Sequence, residues 1–442
     1  MKSPNFINFW YACFLFSIAF FLIPILIISV ARISPPSSPY TTAADECPLG
    51  RVYSYNLPSI FNHDLLLRNC SDLHPFNWQC GIFPNHGFGH PATELRRIMP
   101  ENIRKSWFRT NQFALELLFH RRILRHRCRT RRPESATAFY IPFYAGLAVG
   151  KHLWTNDTVE RDRLCDQMIR WLKTQKQWKK YNGSDHFTAI GRITWDFRRL
   201  ADPDGNWGSA FLNMPEMEHV TRFIIEKAPW DNRDVGVPYP TGFHPQTGQT
   251  LKSWQQYVRE YNRSSLFTFV GAPRPNTGGD FRGLLLSYCS NETASCRAID
   301  CAAANCASDY TVILESFLGS EFCLQPAGDS STRRSVFDCM VAGSVPVFFW
   351  NTTAYDQYEW FLPGEPESYS VYVNHEEVRN RSYVIEQVLM RYSKEEIREK
   401  REKVIETIPK IIYGGRGLID FKDAIDIALD GVLHRIKTER EG

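Results

Sequence analysis

The chain has 442 residues, 43% hydrophobic and 23% charged, which fits a globular protein of two or three domains and excludes a disordered or fibrous one. A formal net charge of +4 over this length is too weak to argue for a nucleic-acid partner.

Residues 9–31, FWYACFLFSIAFFLIPILIISVA, form an uncharged run of 23 residues. A membrane-spanning helix needs ~20 apolar residues, and the apolar core of a cleaved signal peptide is only ~7–15. The run predicts a cytosolic tail over 1–8 and a signal anchor over 9–31. Lys2 and Arg32 flank it with little charge asymmetry. Residues 32–46, rich in Pro and Ser, read as a stem. Twelve cysteines, eleven of them beyond the anchor, and seven N-x-S/T sequons at Asn69, Asn156, Asn182, Asn262, Asn291, Asn351 and Asn380 suit an oxidising, glycosylating lumen.

The folded body starts near Cys47 and divides into halves over 47–250 and 251–442. In the first half, NQFALELLFHRRIL (111–124) has helical spacing, and ATAFYIPFYAGL (136–147) is a continuous apolar run that predicts a strand buried on both faces. A helix is expected over 159–180. From 265 the pattern becomes strand (265–275), helix (310–320), strand (321–326), helix (331–342) and strand (345–350), the signature of a parallel βαβ unit. Two helices, over 393–412 and 420–438, close the chain. The fold class is α/β with two sheet-bearing halves.

The stretch GDSSTRRSVFDCMVAGSVPVFF (328–349) places Arg333 and Arg334 in the first turn of a helix, where the helix dipole disfavours cations by a few tenths of a kcal/mol each. The loop before them, PAGDSS (326–331), follows a strand and opens a helix. In open parallel sheets, ligands bind beyond the carboxyl ends of the strands, and helix N-termini offer N–H groups to anions. Gly328 permits close backbone approach, Ser330 and Ser331 can donate to phosphate oxygens, and the planar forks of Arg333 and Arg334 suit phosphate. A diphosphate here would account for both arginines; the alternative is that they are solvated or pair with surface carboxylates. Arg274, in the GAPRP loop after another strand, is a second candidate phosphate ligand. No Walker A loop is present.

The spacing of Cys289, Cys296, Cys301 and Cys306 leaves a metal site open, but a luminal location favours disulfides. Cys47, Cys70, Cys80, Cys128 and Cys165 would supply further bridges, with Cys323 or Cys339 left unpaired. The stretch RRILRHRCRTRR (121–132) holds seven arginines. It reads as an exposed helix end and loop, or as a surface for an acidic partner. NHGFG (85–89) reads as a turn near an acceptor cleft.

The stretches YNLPSIFN, NQFALELLFHRR, AFYIPFYAGL, DHFTAIGRITWDFRR, VPYPTGFHP, LFTFVGAPRP, FCLQPAGDSSTRRSVFDCMVAGSVPVFFW and YSVYV, in that order from about 47 to 375, resemble the exostosin-like glycosyltransferases, and within them the plant xyloglucan galactosyltransferase group. The resemblance implies a GT-B fold, two Rossmann-like domains facing a cleft, in a type II Golgi membrane protein. It also implies inverting transfer of galactose from UDP-galactose to xylosyl side chains of xyloglucan, without a catalytic metal or other cofactor. The partners so implied are the donor, the xyloglucan acceptor, the membrane and other Golgi glycosyltransferases. Carried onto this chain, the diphosphate falls at Gly328, Ser330, Ser331, Arg333 and Arg334 with Arg274 opposite, and Glu315 is a candidate for the uridine or ribose. Asp338 is as readily a structural partner of the arginines.

Inversion in one displacement requires a group that takes the acceptor proton from the side opposite the diphosphate. SDHFTAIGRITWDFRR (184–199) is the densest polar motif of the first half. His186 leads as base with Asp185 orienting it, and Asp196 and His244 follow. Two rivals remain open: galacturonosyl or other glycosyl transfer to xyloglucan or a related wall polymer, motivated by the arginine run, and a non-catalytic carbohydrate-binding or scaffold partner.

Overall fold

The computed structural model of the protein describes residues 47–441 apart from 70–71, 73–79, 82, 201–206, 276–278, 292–293, 305, 307–309 and 382. The expected tail at 1–8, anchor at 9–31 and stem at 32–46, as well as Cys70, lie outside the described residues; among the described residues no helix is long and apolar enough to cross a membrane. All seven sequon asparagines are exposed.

Residues 49–442 carry two parallel sheets. The first contains β1 (Val52–Ser54), β2 (Arg129–Thr130), β3 (Ala138–Ile141), β4 (His186–Ile190), β5 (Thr221–Ile224) and β6 (Asp234–Gly236), in the order β2-β1-β3-β4-β5-β6. The second contains β7 (Ser265–Gly271), β8 (Cys296–Asp300), β9 (Ser320–Gln325), β10 (Val345–Phe348) and β11 (Val371–Tyr372), in the order β11-β10-β9-β7-β8. Every pairing is parallel. Both halves are therefore Rossmann-like α/β layers.

Strand composition follows from burial on two faces. On β7 and β9, Phe267, Phe269, Phe322 and Leu324 enter one core, while Val270 and Cys323 enter the other, which continues into the first half. Alternate residues of a strand point to opposite faces, so both faces must be apolar. The helices that matter below are α1 (Leu115–Ile123), α2 (Ala145–Gly150), α3 (Thr158–Thr174), α4 (Gly248–Glu260), α5 (Phe281–Asn291), α6 (Tyr310–Leu318), α7 (Ser335–Val341), α8 (Lys394–Ile411) and α9 (Ala424–Glu441).

Several expectations change in detail. The apolar run 136–147 is not one strand: β3 stops at Ile141, Pro142 interrupts the ladder, and α2 begins at Ala145. The expected helix 159–180 is broken at Gln175, which has extended φ/ψ. The boundary at 250/251 falls inside α4, whose Trp254 is fully buried and donates to the carbonyl of Val341 at 2.8 Å. The last helix returns to the first half, where α9 packs on β3 and Arg440 reaches Asp185 at 2.9 Å.

The cysteine assignment is corrected at one point. Cys289–Cys296 and Cys301–Cys306 are disulfides, as expected. Cys323 and Cys339, expected to leave one thiol unpaired, are bonded to each other, because β9 and α7 pack with those Cα atoms 6.4 Å apart. Cys165, expected in a bridge, is instead a free thiol buried inside α3, and burial pushes it well above the ordinary thiol range.

Candidate functional site

The loop after β9 lies at the carboxyl end of the second sheet. It is folded tightly: a Cβ on Gly328 would stand 2.3 Å from the carbonyl oxygen of Thr332, so only glycine fits. Around it converge three arginines. Arg274, from the loop after β7, makes a bidentate pair with Asp329 at 2.9 and 3.2 Å. Arg282, in the first turn of α5, reaches the same carboxylate at 3.3 Å and the carbonyl of Ala327. Arg333 turns back to the end of β7, donating to the carbonyl of Val270 at 3.1 Å beside the ring of Phe269.

Two guanidiniums, those of Arg274 and Arg282, thus share one carboxylate with Arg333 close by, and Asp329 is largely exposed, with 67% of its side chain accessible. The Nη1 of Arg333 is buried with no hydrogen-bond partner among the described residues. Burial, followed by the charge of Arg282, pushes Arg333 down to about 9. An unpaired buried cation is costly, and an anion brought to this loop would relieve it.

Arg334 behaves differently. It pairs with Asp338 one helical turn on at 3.0 Å, donates to the carbonyl of Thr110 in the first half, and lies 5.5 Å from the ring of Tyr310. Tyr310 itself donates to Asp338 at 2.6 Å. The i,i+4 carboxylate offsets the unfavourable position of this cation. Of the two arginines at the helix start, the structure therefore turns Arg333 toward the loop and engages Arg334 as a tie between the halves. Asp338 is its structural partner.

Glu315 is not brought to the loop. It lies towards the end of α6, the end that leads into the start of β9, and its nearest cation is Arg297 at 3.9 Å.

The first half contributes a residue that sequence reasoning passed over. Glu226 follows β5, at the carboxyl end of the first sheet, and accepts from the Ser330 hydroxyl at 2.6 Å and the Thr332 N–H at 3.0 Å. The N–H of Ser331 also faces it. It is 4% exposed, and burial, opposed by the Ser330 hydroxyl, raises its carboxyl above the usual range. Its context, IIEKAPW, carries no motif; only the strand order brings it to the loop. Arg282 was missed for the same reason.

His186, expected as the base, lies away from the 326–334 loop. His186 is the first residue of β4, at the amino end of the sheet, four residues from the carboxyl end, or about 13 Å. Its Nδ1 meets Asp185 at 2.7 Å, its Nε2 meets the Tyr55 hydroxyl at 2.8 Å, and Tyr55, Phe139 and Trp178 enclose the ring. It is wholly buried, and burial lowers its pKa. Asp185 is bound to Arg440 as well. This is a core network that fastens α9 to the first sheet.

The trailing candidates are likewise engaged. Asp196 holds Arg192 at 2.6 Å and the Trp207 indole at 2.9 Å. His244 sits between the Thr110 hydroxyl and the Tyr413 carbonyl, both at 2.7 Å, and burial pushes it down to about 3. Glu116 is a further buried carboxyl, accepting from the N–H groups of Gly146 and Gly191, which follow β3 and β4. Burial raises it to about 7.

Two Rossmann-like halves thus meet, with a cationic loop at the carboxyl end of one sheet and a carboxylate reaching it from the other. The Exostosin GT47 domain matches residues 46–388, and the chain belongs to that family of glycosyltransferases. It is 52% identical over 400 residues to Xyloglucan galactosyltransferase XLT2 of Arabidopsis thaliana, covering 90% of this chain and 77% of the relative. To Probable xyloglucan galactosyltransferase GT12 of the same plant it is 39% identical, covering 89% and 77%. To its Xyloglucan-specific galacturonosyltransferase 1 it is 40% identical, covering 87% and 57%. The crystal structure of a GtfA/B complex aligns over 62% of this chain and 60% of that one with a TM-score of 0.30 and 9% identity.

Proposed function

We propose that this protein is a GT-B enzyme of the Golgi lumen, anchored by residues 9–31, that transfers galactose from UDP-galactose to xylosyl side chains of xyloglucan. The observation that carries the reading is the arginine surplus at the 326–334 loop: Arg274 and Arg282 share Asp329, while Arg333 beside them has no carboxylate in contact and a buried Nη1 without a hydrogen-bond partner among the described residues. A diphosphate supplies the missing negative charge, with the Ser331 hydroxyl as a further donor, that of Ser330 being held by Glu226. The 52% identity to a xyloglucan galactosyltransferase supports the choice of sugar and acceptor.

Glu226 replaces His186 as the proton acceptor in this proposal. Its carboxylate comes from the first half, the one assigned to the acceptor in this reading, and its raised pKa makes it a stronger base. The attacking xylosyl oxygen loses its proton to Glu226 as the bond from the galactose anomeric carbon to the diphosphate breaks. The three arginines stabilise the charge that develops on the leaving group. No metal is required in this scheme, so chelation leaves turnover unchanged.

The test uses the full chain, solubilised from membranes, with galactose-free xyloglucan oligosaccharides and a panel of UDP-sugars, the products being weighed by mass spectrometry. A hexose added with UDP-galactose alone is the expected result. A hexuronic acid added instead would replace this donor with a uronic one. No product, together with no binding of UDP, would leave a non-catalytic partner as the better account.

A further inference from the structure

The donor loop uses none of the seven arginines in residues 121–132. Two have plain structural tasks. Arg122 at the end of α1 pairs with Asp423 and Asp426 at 3.1 and 2.9 Å, tying α1 to the start of α9. Arg129 donates to the carbonyl of Leu124.

Arg121 and Arg125 turn elsewhere. Both donate to the carbonyl of Arg416, at 3.1 and 2.8 Å, and the guanidinium of Arg416 donates to Asn85. Asn85 and His86 hold positive φ of 55° and 59°, which sets the turn that receives Arg416. The groove between these segments is lined by Phe88, Arg121, Arg125, Tyr413 and Gly415, and it opens at Gly417, where an added Cβ would meet nothing.

Two guanidiniums therefore meet on the Arg416 carbonyl, with the guanidinium of Arg416 itself nearby on Asn85, and no carboxylate is paired to any of the three among the described residues. The Nη1 of Arg121 is buried and has no hydrogen-bond partner there. Burial, then the charges of Arg125 and Arg416, push Arg121 down to about 10. Burial and the same three arginines lower His86. Packing like charges together is unfavourable unless an anion joins them.

We propose that Arg121, Arg125 and Arg416 form an anion-binding groove, separate from the donor loop, that takes the uronate carboxylate of an acidic glycan. Planar guanidinium forks match a carboxylate in bidentate fashion. The side-chain-free rim at Gly417 leaves room for the sugar that carries it. The groove does not depend on which sugar the donor loop transfers.

The test measures binding of oligogalacturonides to the solubilised full chain, with neutral xyloglucan oligosaccharides and inorganic phosphate as comparisons. R125E/R416E changes two exposed side chains of the groove. R131E/R132E makes the same charge change at exposed arginines that do not line it. R125E/R416E is expected to weaken oligogalacturonide binding by more than roughly tenfold, and R131E/R132E by less than about threefold. Both should keep wild-type transfer to a neutral acceptor. The milder Arg416→Ala serves if the groove double variant melts early. Equal losses in the two double variants would reduce the groove to plain charge attraction. Phosphate competing as well as the uronate would remove the glycan, and loss of transfer to neutral acceptor in R125E/R416E would merge the groove with the catalytic cleft. Any of these outcomes overturns the proposal while leaving the transferase reading intact.

Discussion

Replacing Arg333 by Met separates a binding arginine from a structural one. In the free protein the substitution removes one hydrogen bond, to the Val270 carbonyl, which contributes about 1 kcal/mol. It also removes a buried Nη1 without a partner, whose cost is about 1–3 kcal/mol. The two effects oppose each other, so stability should change by no more than ~2 kcal/mol, and in the favourable direction if anything. UDP binding should lose at least one charge-assisted hydrogen bond of about 1.5–3 kcal/mol, a weakening of roughly 10- to 150-fold. Arg334→Met should do the reverse. It strands Asp338, whose side chain is only 6% accessible, and should lower stability by about 3–5 kcal/mol. Thermal melts with and without UDP, and calorimetric titration of UDP, measure both quantities. The reasoning fails if Arg333→Met melts as early as Arg334→Met and binds UDP normally.

Glu226→Gln keeps the shape that accepts from Ser330 and Thr332 but removes the base, so kcat should fall by roughly 10²–10⁴ while UDP affinity changes little; a loss of UDP affinity with kcat intact would make Glu226 a positioning residue only. His186→Ala should lower the melting temperature, because it opens the Tyr55, Phe139 and Trp178 enclosure and leaves Asp185 short of a partner, yet turnover per folded molecule should stay near wild type; a collapse of kcat in well-folded protein would return His186 to the chemistry. Glu116 holds more protons folded than unfolded between the ordinary carboxyl value of 4.5 and about 7, so its contribution to stability falls as pH rises through that window. Glu116→Gln should therefore gain on wild type from pH 4.5 to 7, by up to roughly 3 kcal/mol, and pH-dependent denaturant melts that run parallel would contradict this.

Three of the five strands of the second sheet, β7, β9 and β10, were legible in the sequence, whereas β8 and β11 were not. Strands buried on both faces must be apolar throughout, and β7, β9 and β10 carry that pattern with glycine and proline at their ends. The loop at 326–334 was legible for the same reason, since a strand, a glycine turn and a helix start follow one another locally. The charges at the helix start could be counted but not apportioned. Arg333 and Arg334 are adjacent in the chain, and only packing against Phe269 on one side and Tyr310 on the other sends one to the loop and the other to Asp338.

What sequence alone could not supply are contacts between segments far apart in the chain. His186 stood in the densest polar motif, but strand direction sets it at the amino end of β4, away from the 326–334 loop. Glu226 stood in no motif, yet it lies 104 residues before Ser330 and touches it, because β5 and β9 both end at the cleft. The pairing of Cys323 with Cys339 and the return of α9 to the first sheet are of the same kind. Local composition determined which segments are strands, helices and anion-receptive turns, because those preferences act over a few residues. The tertiary structure alone decided which charges are paired within the protein and which are not, because burial and Coulomb interactions depend on distance in space.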